Sequence, residues 1–324
     1  MKLLVPTTTC WTLLALFGTG CAAENPMTYR APRLPDGHAD MQGMWVNSNL
    51  TPLERPAEFT QLAITAADAT RFKALYLAPP GSENQPDDPG RALEDLSVEP
   101  IRGELRSSLI VDPADGKIPW NATHAGDSAA LRRAIFSAFD NPEQRPGSER
   151  CLSSTGAPPM QPTIDDNLYQ VVQTPATTVI VSELIHDARM IRMNSTHSPA
   201  ALTSWLGDSI GWWDKDTLVV ETKYFSPSSA IRLRPLSAFL VSPNTTVTER
   251  FTRVSDHELN YVFTVSDPTY YTRSWTGETH WMRSRAKMFE YACHEGNYSM
   301  RDMLEAARAR DAKESIAVVP ANPK

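Results

Sequence analysis

The run Glu258-Leu-Asn-Tyr-Val-Phe-Thr-Val265 decides the fold class, because its apolar and polar side chains alternate. Leu259, Tyr261, Phe263 and Val265 form one face, and the residues between them form the other. Successive side chains of a β-strand point to opposite sides of a sheet. The pattern therefore predicts an antiparallel strand with one buried face.

Similar runs recur along the second half of the chain, with turn sequences between them. The predicted strands are Leu168–Gln173, Thr177–His186, Ala188–Met193, Ile210–Trp213, Thr217–Tyr224, Val247–Val254, Glu258–Val265, Tyr271–Met282 and Met288–Cys293. Such a series predicts a mainly β fold, either an antiparallel barrel or a sandwich. Helices are predicted at residues 64–77, with Thr65 as N-cap, at 127–139 and at 298–313.

A chain of 324 residues, 41% of them hydrophobic, has enough apolar material for one large domain or two modest ones. The series of strands predicts a single β-barrel domain. The domain is predicted at 43–313. It comprises wrapping strands, helices and loops (43–166), the barrel core (167–297) and the C-terminal helix (298–313). A Pro-rich linker (21–42) precedes it, and a flexible tail (314–324) follows. The net charge of −7 disfavours nucleic acid and anionic membranes as partners, so a small molecule is the expected partner.

The N-terminus has the features of a secretory signal peptide at residues 1–20. Its apolar stretch, Trp11–Phe17, is too short to span a membrane. Small residues precede Cys21, which predicts a lipid anchor on that cysteine. The alternative is ordinary cleavage one or two residues later, leaving a soluble protein. Either way the predicted location is outside the cytoplasm, in the bacterial periplasm or anchored to the outer membrane.

Loss of the signal leaves two cysteines, Cys151 and Cys293. In an oxidising compartment two cysteines most simply form a disulfide, and two buried free thiols are the alternative. A bridge would hold Arg150 beside His294 and Glu295. The Pro-rich loop carrying Cys151 would then be a lid or wall at the barrel mouth.

Two clusters of ionisable residues are candidates for chemistry. Near residue 186, a continuous strand would point the side chains of Glu183, Asp187 and Arg189 to one face and that of His186 to the opposite face. The alternative there is a structural Asp–Arg pair. Near the C-terminus, the sequence Cys293-His-Glu-Gly-Asn297 joins a predicted strand to a helix, which Asn297 would cap. A capping and turn role is the alternative to a site role for His294 and Glu295.

The candidate site joins these clusters with an aromatic wall. The catalytic candidates are His294, Glu295, His186, Asp187 and Arg189; the substrate-binding candidates are Arg150, Glu183, Asn297, Glu249, Trp212, Tyr271 and Trp275. Glu249 also fits an outer ion pair, and the aromatic residues also fit a barrel core. No cofactor is predicted, because phosphate-binding and zinc-binding spacings are absent. A divalent metal held by His186, His294 and a carboxylate is the alternative.

The chain resembles a widespread group of exported, mostly uncharacterised bacterial proteins. The matching stretches include residues 32–45, Leu50–Pro56, Glu149–Cys151, Ile185–Arg189, Trp205–Ser209, Asp216–Val220, Glu249–Arg253 and the motif Tyr291-Ala-Cys-His-Glu-Gly-Asn297. The chain departs from the group's usual Gly-Arg-Trp-Glu-Gly-Asp at Gly211–Asp216. The resemblance implies a lipocalin-like barrel, which the Gly43-Met-Trp45 start also suggests. It implies no reaction.

Two functions are therefore expected for the barrel pocket. The first is an exported lyase or isomerase performing elimination, hydration or isomerisation on a small cyclic or apolar molecule. His294 or His186 would transfer the proton, with Glu295 or Asp187 orienting it and Arg189 or Arg150 holding negative charge. Metal-assisted hydrolysis is a weaker variant. The alternative is a non-catalytic envelope protein that carries a small apolar ligand.

Overall fold

The structure, a computed structural model, describes residues 29–77, 97–127, 129–130, 138–162, 168–229, 231–234 and 237–317. The predicted signal peptide, Cys21 and the end of the chain after residue 317 lie outside these ranges. So does most of the helix predicted at 127–139. Within the described ranges, no helix is long and apolar enough to cross a membrane.

The chain folds into a closed β-barrel. The strands of the described residues are β1 (Gly43–Val46), β2 (Ile110–Asp112), β3 (Leu168–Gln173), β4 (Thr177–Ser182), β5 (Ala188–Met193), β6 (Asp208–Asp214), β7 (Thr217–Lys223), β8 (Ile231–Arg234), β9 (Ser237–Leu240), β10 (Thr246–Arg253), β11 (Glu258–Ser266) and β12 (Trp275–Arg283). Nine of them form the barrel; β2 pairs only with β12, and β8 and β9 pair with each other. The order β1-β3-β4-β5-β6-β7-β10-β11-β12 closes where β12 pairs with β1. The mainly β prediction is confirmed, as a barrel and not a sandwich.

The barrel is mixed, so the prediction of a purely antiparallel sheet is wrong at one pair. β5 and β6 run parallel, with Ile191 opposite Ser209 and Met193 opposite Gly211. Parallel neighbours need a crossover connection. Residues 194–207 provide it, carrying the chain back so that β6 starts beside β5 in the same direction.

The barrel interior is filled by the inward faces of its strands. In β11, Leu259, Tyr261, Phe263 and Val265 are buried, which confirms the predicted alternation. Aromatic rings pack against one another there; for example, Tyr169 stacks on Trp281 with 4.4 Å between ring centroids. The aromatic residues thus form a core for the barrel.

Trp45 lies near one end of the barrel, the end at which β12 finishes. Its indole donates a hydrogen bond to the Met41 carbonyl, and the Arg283 guanidinium lies 5.3 Å from its ring centroid. Gly43 has φ +125°, and a Cβ there would lie 2.9 Å from the Arg283 Nη2. The positive φ favours glycine here, whereas the contact with the end of the flexible Arg283 side chain could be relieved by a small movement. The described part of the predicted linker, residues 29–42, packs on the barrel through buried Ala39 and Met41.

The predicted strand Met288–Cys293 is wrong. Residues 284–292 form an irregular, mostly exposed arm outside the barrel. β12 already pairs with β11 on one edge and with β1 and β2 on the other, so neither edge of β12 is open to the run that follows it. The arm reaches the opposite end, where the Phe289 N–H donates to Glu183 Oε1 at 2.6 Å. The C-terminal helix α2 (Ser299–Ala317) follows.

The other segments cover the outside of the barrel. Helix α1 (Ala66–Leu77) begins after Thr65, whose Oγ1 accepts a hydrogen bond from the Asp68 N–H, so the predicted N-cap is confirmed. The hairpin β8–β9 was not predicted.

Candidate functional site

A disulfide joins Cys151 to Cys293, as predicted, with Cα atoms 5.7 Å apart. It fastens the loop before the barrel core to the C-terminal arm across 142 residues of chain. Beside it lies an open groove of about 290 Å³, lined by Arg150, Leu152, His294 and Asn297 among others. The bridge therefore brings two sequence-predicted site residues, Arg150 and His294, into one groove.

The polar side chains of this groove differ in their partners. Glu149 accepts two hydrogen bonds from the Arg145 guanidinium, at 2.8 and 3.0 Å. Arg150 and His294 make no side-chain hydrogen bond or ion pair with any other described residue. His294 and Glu295 are exposed. Asn297, predicted to cap α2, instead approaches Cys151 Sγ at 3.8 Å.

Residues 151–162, here called the plug segment, fill the barrel end next to the groove. Most of the segment is buried, and its backbone bonds to side chains of the interior. The Met160 N–H donates to the Tyr261 hydroxyl at 2.9 Å, and the Met160 carbonyl accepts from Asn47 Nδ2 at 2.8 Å. Tyr169 donates to the Thr155 carbonyl at 3.0 Å. The loop predicted to be a lid or wall is thus packed into the barrel end, and its residues Arg150 and Leu152 form part of the groove wall.

Beyond the plug segment, Arg189 and Glu249 form a buried ion pair inside the barrel. Both side chains are nearly inaccessible, at 2% and 0% exposure. The guanidinium also donates to Ser209 Oγ and Thr222 Oγ1, at 3.0 and 3.1 Å. Tyr261 donates to Glu249 Oε1 at 2.7 Å. Burial, with Glu249 beside it, raises the pKa of Tyr261 well above its usual value.

The segment from Glu183 to Asp187 is a 3-10 turn, so the predicted continuation of β4 to His186 is wrong. Ile185 and His186 have positive φ values of 61° and 41°. His186 is exposed, whereas Asp187 is buried and accepts a hydrogen bond from the Ser154 N–H at 2.9 Å. The strand parity used to group Glu183 with Asp187 and Arg189 does not apply, because the turn breaks it.

The predicted aromatic wall is divided between core and surface. Trp275 is fully buried, and the Tyr271 hydroxyl donates to the Leu240 carbonyl at 2.5 Å. Burial raises the pKa of Tyr271. Trp212 is 38% exposed on the outer face of β6. These three side chains do not line the groove described above.

One cluster was missed in the sequence. His197, in the β5–β6 crossover, lies with Nδ1 2.7 Å from Asp208 Oδ2 and Nε2 3.0 Å from Glu221 Oε1. Burial works to raise the pKa of Asp208, but hydrogen bonds from Arg192, His197 and Ser198 outweigh it and hold that pKa far below its usual range. All the polar groups are partnered, so the cluster fastens the crossover to the barrel. The partners come from separate segments and leave no local motif.

A second cluster lies outside the barrel, beneath the part of residues 43–166 that wraps around it. His280 is 2% exposed, and neither ring nitrogen has a hydrogen-bond partner among the described residues. Burial lowers its pKa. Its neighbour along β12, Glu278, is held by Arg106 at 2.6 Å. In the described ranges no group of three or more His, Cys, Asp or Glu side chains is arranged to hold a metal ion.

No family model matches the chain, and no curated protein matches it significantly.

Proposed function

We propose that this protein is an exported ligand-binding barrel whose site is the groove beside the Cys151–Cys293 bridge. One observation carries the proposal: a guanidinium and an imidazole, from Arg150 and His294, line the same groove and are not engaged by described residues. Elsewhere in the molecule, the buried Arg189 is held by Glu249. An uncommitted arginine in a concave site offers a fork of donors to a carboxylate or phosphate.

The ligand expected from this chemistry is a small organic anion. The bridge joins the two chain segments that carry Arg150 and His294. The groove is therefore preorganised, and binding a ligand costs less conformational entropy. The signal-like residues 1–20 and the resemblance to exported bacterial proteins support a location outside the cytoplasm. Lipid attachment at Cys21 remains part of the same proposal.

Acid–base catalysis at the groove is the second candidate. It is favoured by the same proximity, since His294 could move a proton while Arg150 holds developing negative charge. Glu295 is exposed, and no carboxylate of the described residues orients His294. Binding is therefore the function this geometry supports best. Turnover of a bound anion that is lost in His294→Gln, with binding retained, would establish the enzyme instead.

Titration with benzoate, a compact organic anion, tests the binding proposal. The imidazole ring signals of His294 should shift saturably in the NMR spectrum. Arg150→Gln should weaken binding about tenfold, because a charge-assisted contact is lost. Arg30→Gln removes an exposed arginine outside the groove and should bind like the wild type. An unperturbed His294 signal, or equal affinity in Arg150→Gln, would refute the proposal.

A further inference from the structure

The groove continues past the disulfide into a second hollow of about 400 Å³. The two hollows share Glu149, Asn297 and Met300 in their linings, so they adjoin. We call the part with Arg150 and His294 the basic half, and the part lined by Tyr291, Met300 and Met303 the apolar half.

The two halves differ in free charge. The basic half contains Arg150 and His294. Among the described residues, the lining of the apolar half includes no cationic side chain, and its one carboxylate, Glu149, is shared with the basic half and already held by Arg145. Arg145 itself is buried and lies 4.4 Å over the Phe139 ring, so this pair is a fixed part of the wall. A ligand would meet positive charge at one end only.

Apolar surface lies open along the groove. Leu152 and Tyr291 are 37% and 39% exposed, at its two ends. Met300 and Met303 stand three residues apart on α2, so they share one face of the helix. Flexible thioether side chains adapt to aliphatic ligands of varying shape. Covering this surface would be favourable by the hydrophobic effect.

We propose that the ligand is an amphiphilic carboxylate, with its head on Arg150 and His294 and its aliphatic tail along Tyr291, Met300 and Met303. This inference rests on the proposed binding function and specifies its ligand class. Arg150 and His294 lie in one half, and the wall of Tyr291, Met300 and Met303 extends away from them into the other half, which matches a molecule with one anionic end and one aliphatic end. A compact dianion or an uncharged lipid would fill only one half.

Affinity measured along a chain-length series tests the inference. Acetate, hexanoate, octanoate and 1-octanol would be titrated against the full-length, oxidised protein. Affinity should rise roughly twofold for each methylene, or about sixtyfold from acetate to octanoate. The free energy per methylene is then half of that for full burial, because the groove is open. Met303→Gln should weaken octanoate about fivefold and leave acetate unchanged. Met190→Gln, at a methionine 62% exposed on the outside of β5, is the matched control and should change neither.

The outcomes separate this inference from the proposed function. Equal affinity for acetate and octanoate, with His294 still perturbed, would overturn the amphiphile and retain an anion-binding groove. Binding of 1-octanol as tight as that of octanoate would overturn the assignment of the head group. If neither benzoate nor any member of the series perturbs His294, both proposals fall.

Discussion

The barrel interior and the bridge groove use the same kinds of charged residue in opposite ways. Inside the barrel, Arg189 and Glu249 are inaccessible and satisfy each other, with Ser209, Thr222 and Tyr261 completing the network. In the groove, Arg150 and His294 face solvent without a partner among the described residues. The sequence therefore indicates two clusters of charged side chains, but their burial and their hydrogen-bond partners decide which cluster is available to a ligand.

This difference has an energetic basis. A charge removed from water is costly unless it is paired and hydrogen-bonded, so the interior charges are committed to each other. An exposed arginine keeps its hydration and can exchange water for a ligand. The predictions below test this contrast, starting with the largest expected effect.

Removing one interior charge should destabilise the protein most. Glu249→Ala leaves the Arg189 guanidinium buried without its counter-ion, which is expected to lower the free energy of unfolding by about 3–5 kcal/mol. Urea denaturation measures this value. Arg250→Gln, on the same strand, breaks an exposed pair with Asp214 and should have little effect. The double change Arg189→Met with Glu249→Met should recover much of the loss. A Glu249→Ala protein as stable as the wild type would show that the pair is not a structural requirement.

Removing the bridge should have the next largest effect, and it should act on both regions. Replacing both Cys151 and Cys293 with serine reopens a loop of 142 residues in the unfolded state. The unfolding free energy should fall by about 2–4 kcal/mol. Benzoate binding should also weaken, because Arg150 and His294 are no longer held together. Reduced wild-type protein should behave like the double variant. Unchanged binding in both would show that the groove does not depend on the bridge.

His280 is a buried titratable side chain outside both regions, and it tests the cost of burial alone. Its lowered pKa means that the folded state takes up a proton less readily than the unfolded state. The stability it contributes is complete above about pH 6.5 and is lost as the pH falls below that value, by at most about 1.4 kcal/mol for each pH unit. Burial raises the pKa of nearby Glu258, which acts in the opposite direction. Glu258 is present in both the wild type and His280→Gln, so the difference between their pH profiles isolates the contribution of His280. Parallel pH profiles for the two proteins would contradict the assignment.

The smallest change in stability is expected in the groove. Arg150→Gln should alter the unfolding free energy by less than about 0.5 kcal/mol, because its side chain is partly exposed and unpaired. The same urea series measures it. A loss as large as that of Glu249→Ala would mean that Arg150 is structural, and the contrast between the regions would fail.

The fold followed from the sequence where local pattern decides it. The limits of β3 and β5, the alternation in β11 and the disulfide were all predicted. Local pattern does not reveal where a segment finds its neighbour. The parallel β5–β6 pair depends on the path of the crossover. The run Met288–Cys293 resembles a strand, but both edges of the preceding strand, β12, are already paired.

The site was less accessible to sequence reasoning. The bridge predicted that Arg150 and His294 would meet. The pairing of Arg189 with Glu249 across 60 residues was not predictable from local parity. The 3-10 turn after β4 changes the directions in which the side chains of His186 and Asp187 point from those expected in a continuous strand. The plug segment carries few apolar residues. Its burial follows from hydrogen bonds between its backbone and the side chains of Tyr261 and Asn47, which no sequence motif predicts.

A crystal structure of the oxidised protein soaked with octanoate would show which of the two charged regions binds the ligand. We expect the carboxylate on Arg150 and His294, with the aliphatic chain along Met300 and Met303, and an Arg189–Glu249 pair that remains intact. Density for octanoate inside the barrel, against the Arg189 guanidinium, with an empty groove, would contradict this expectation.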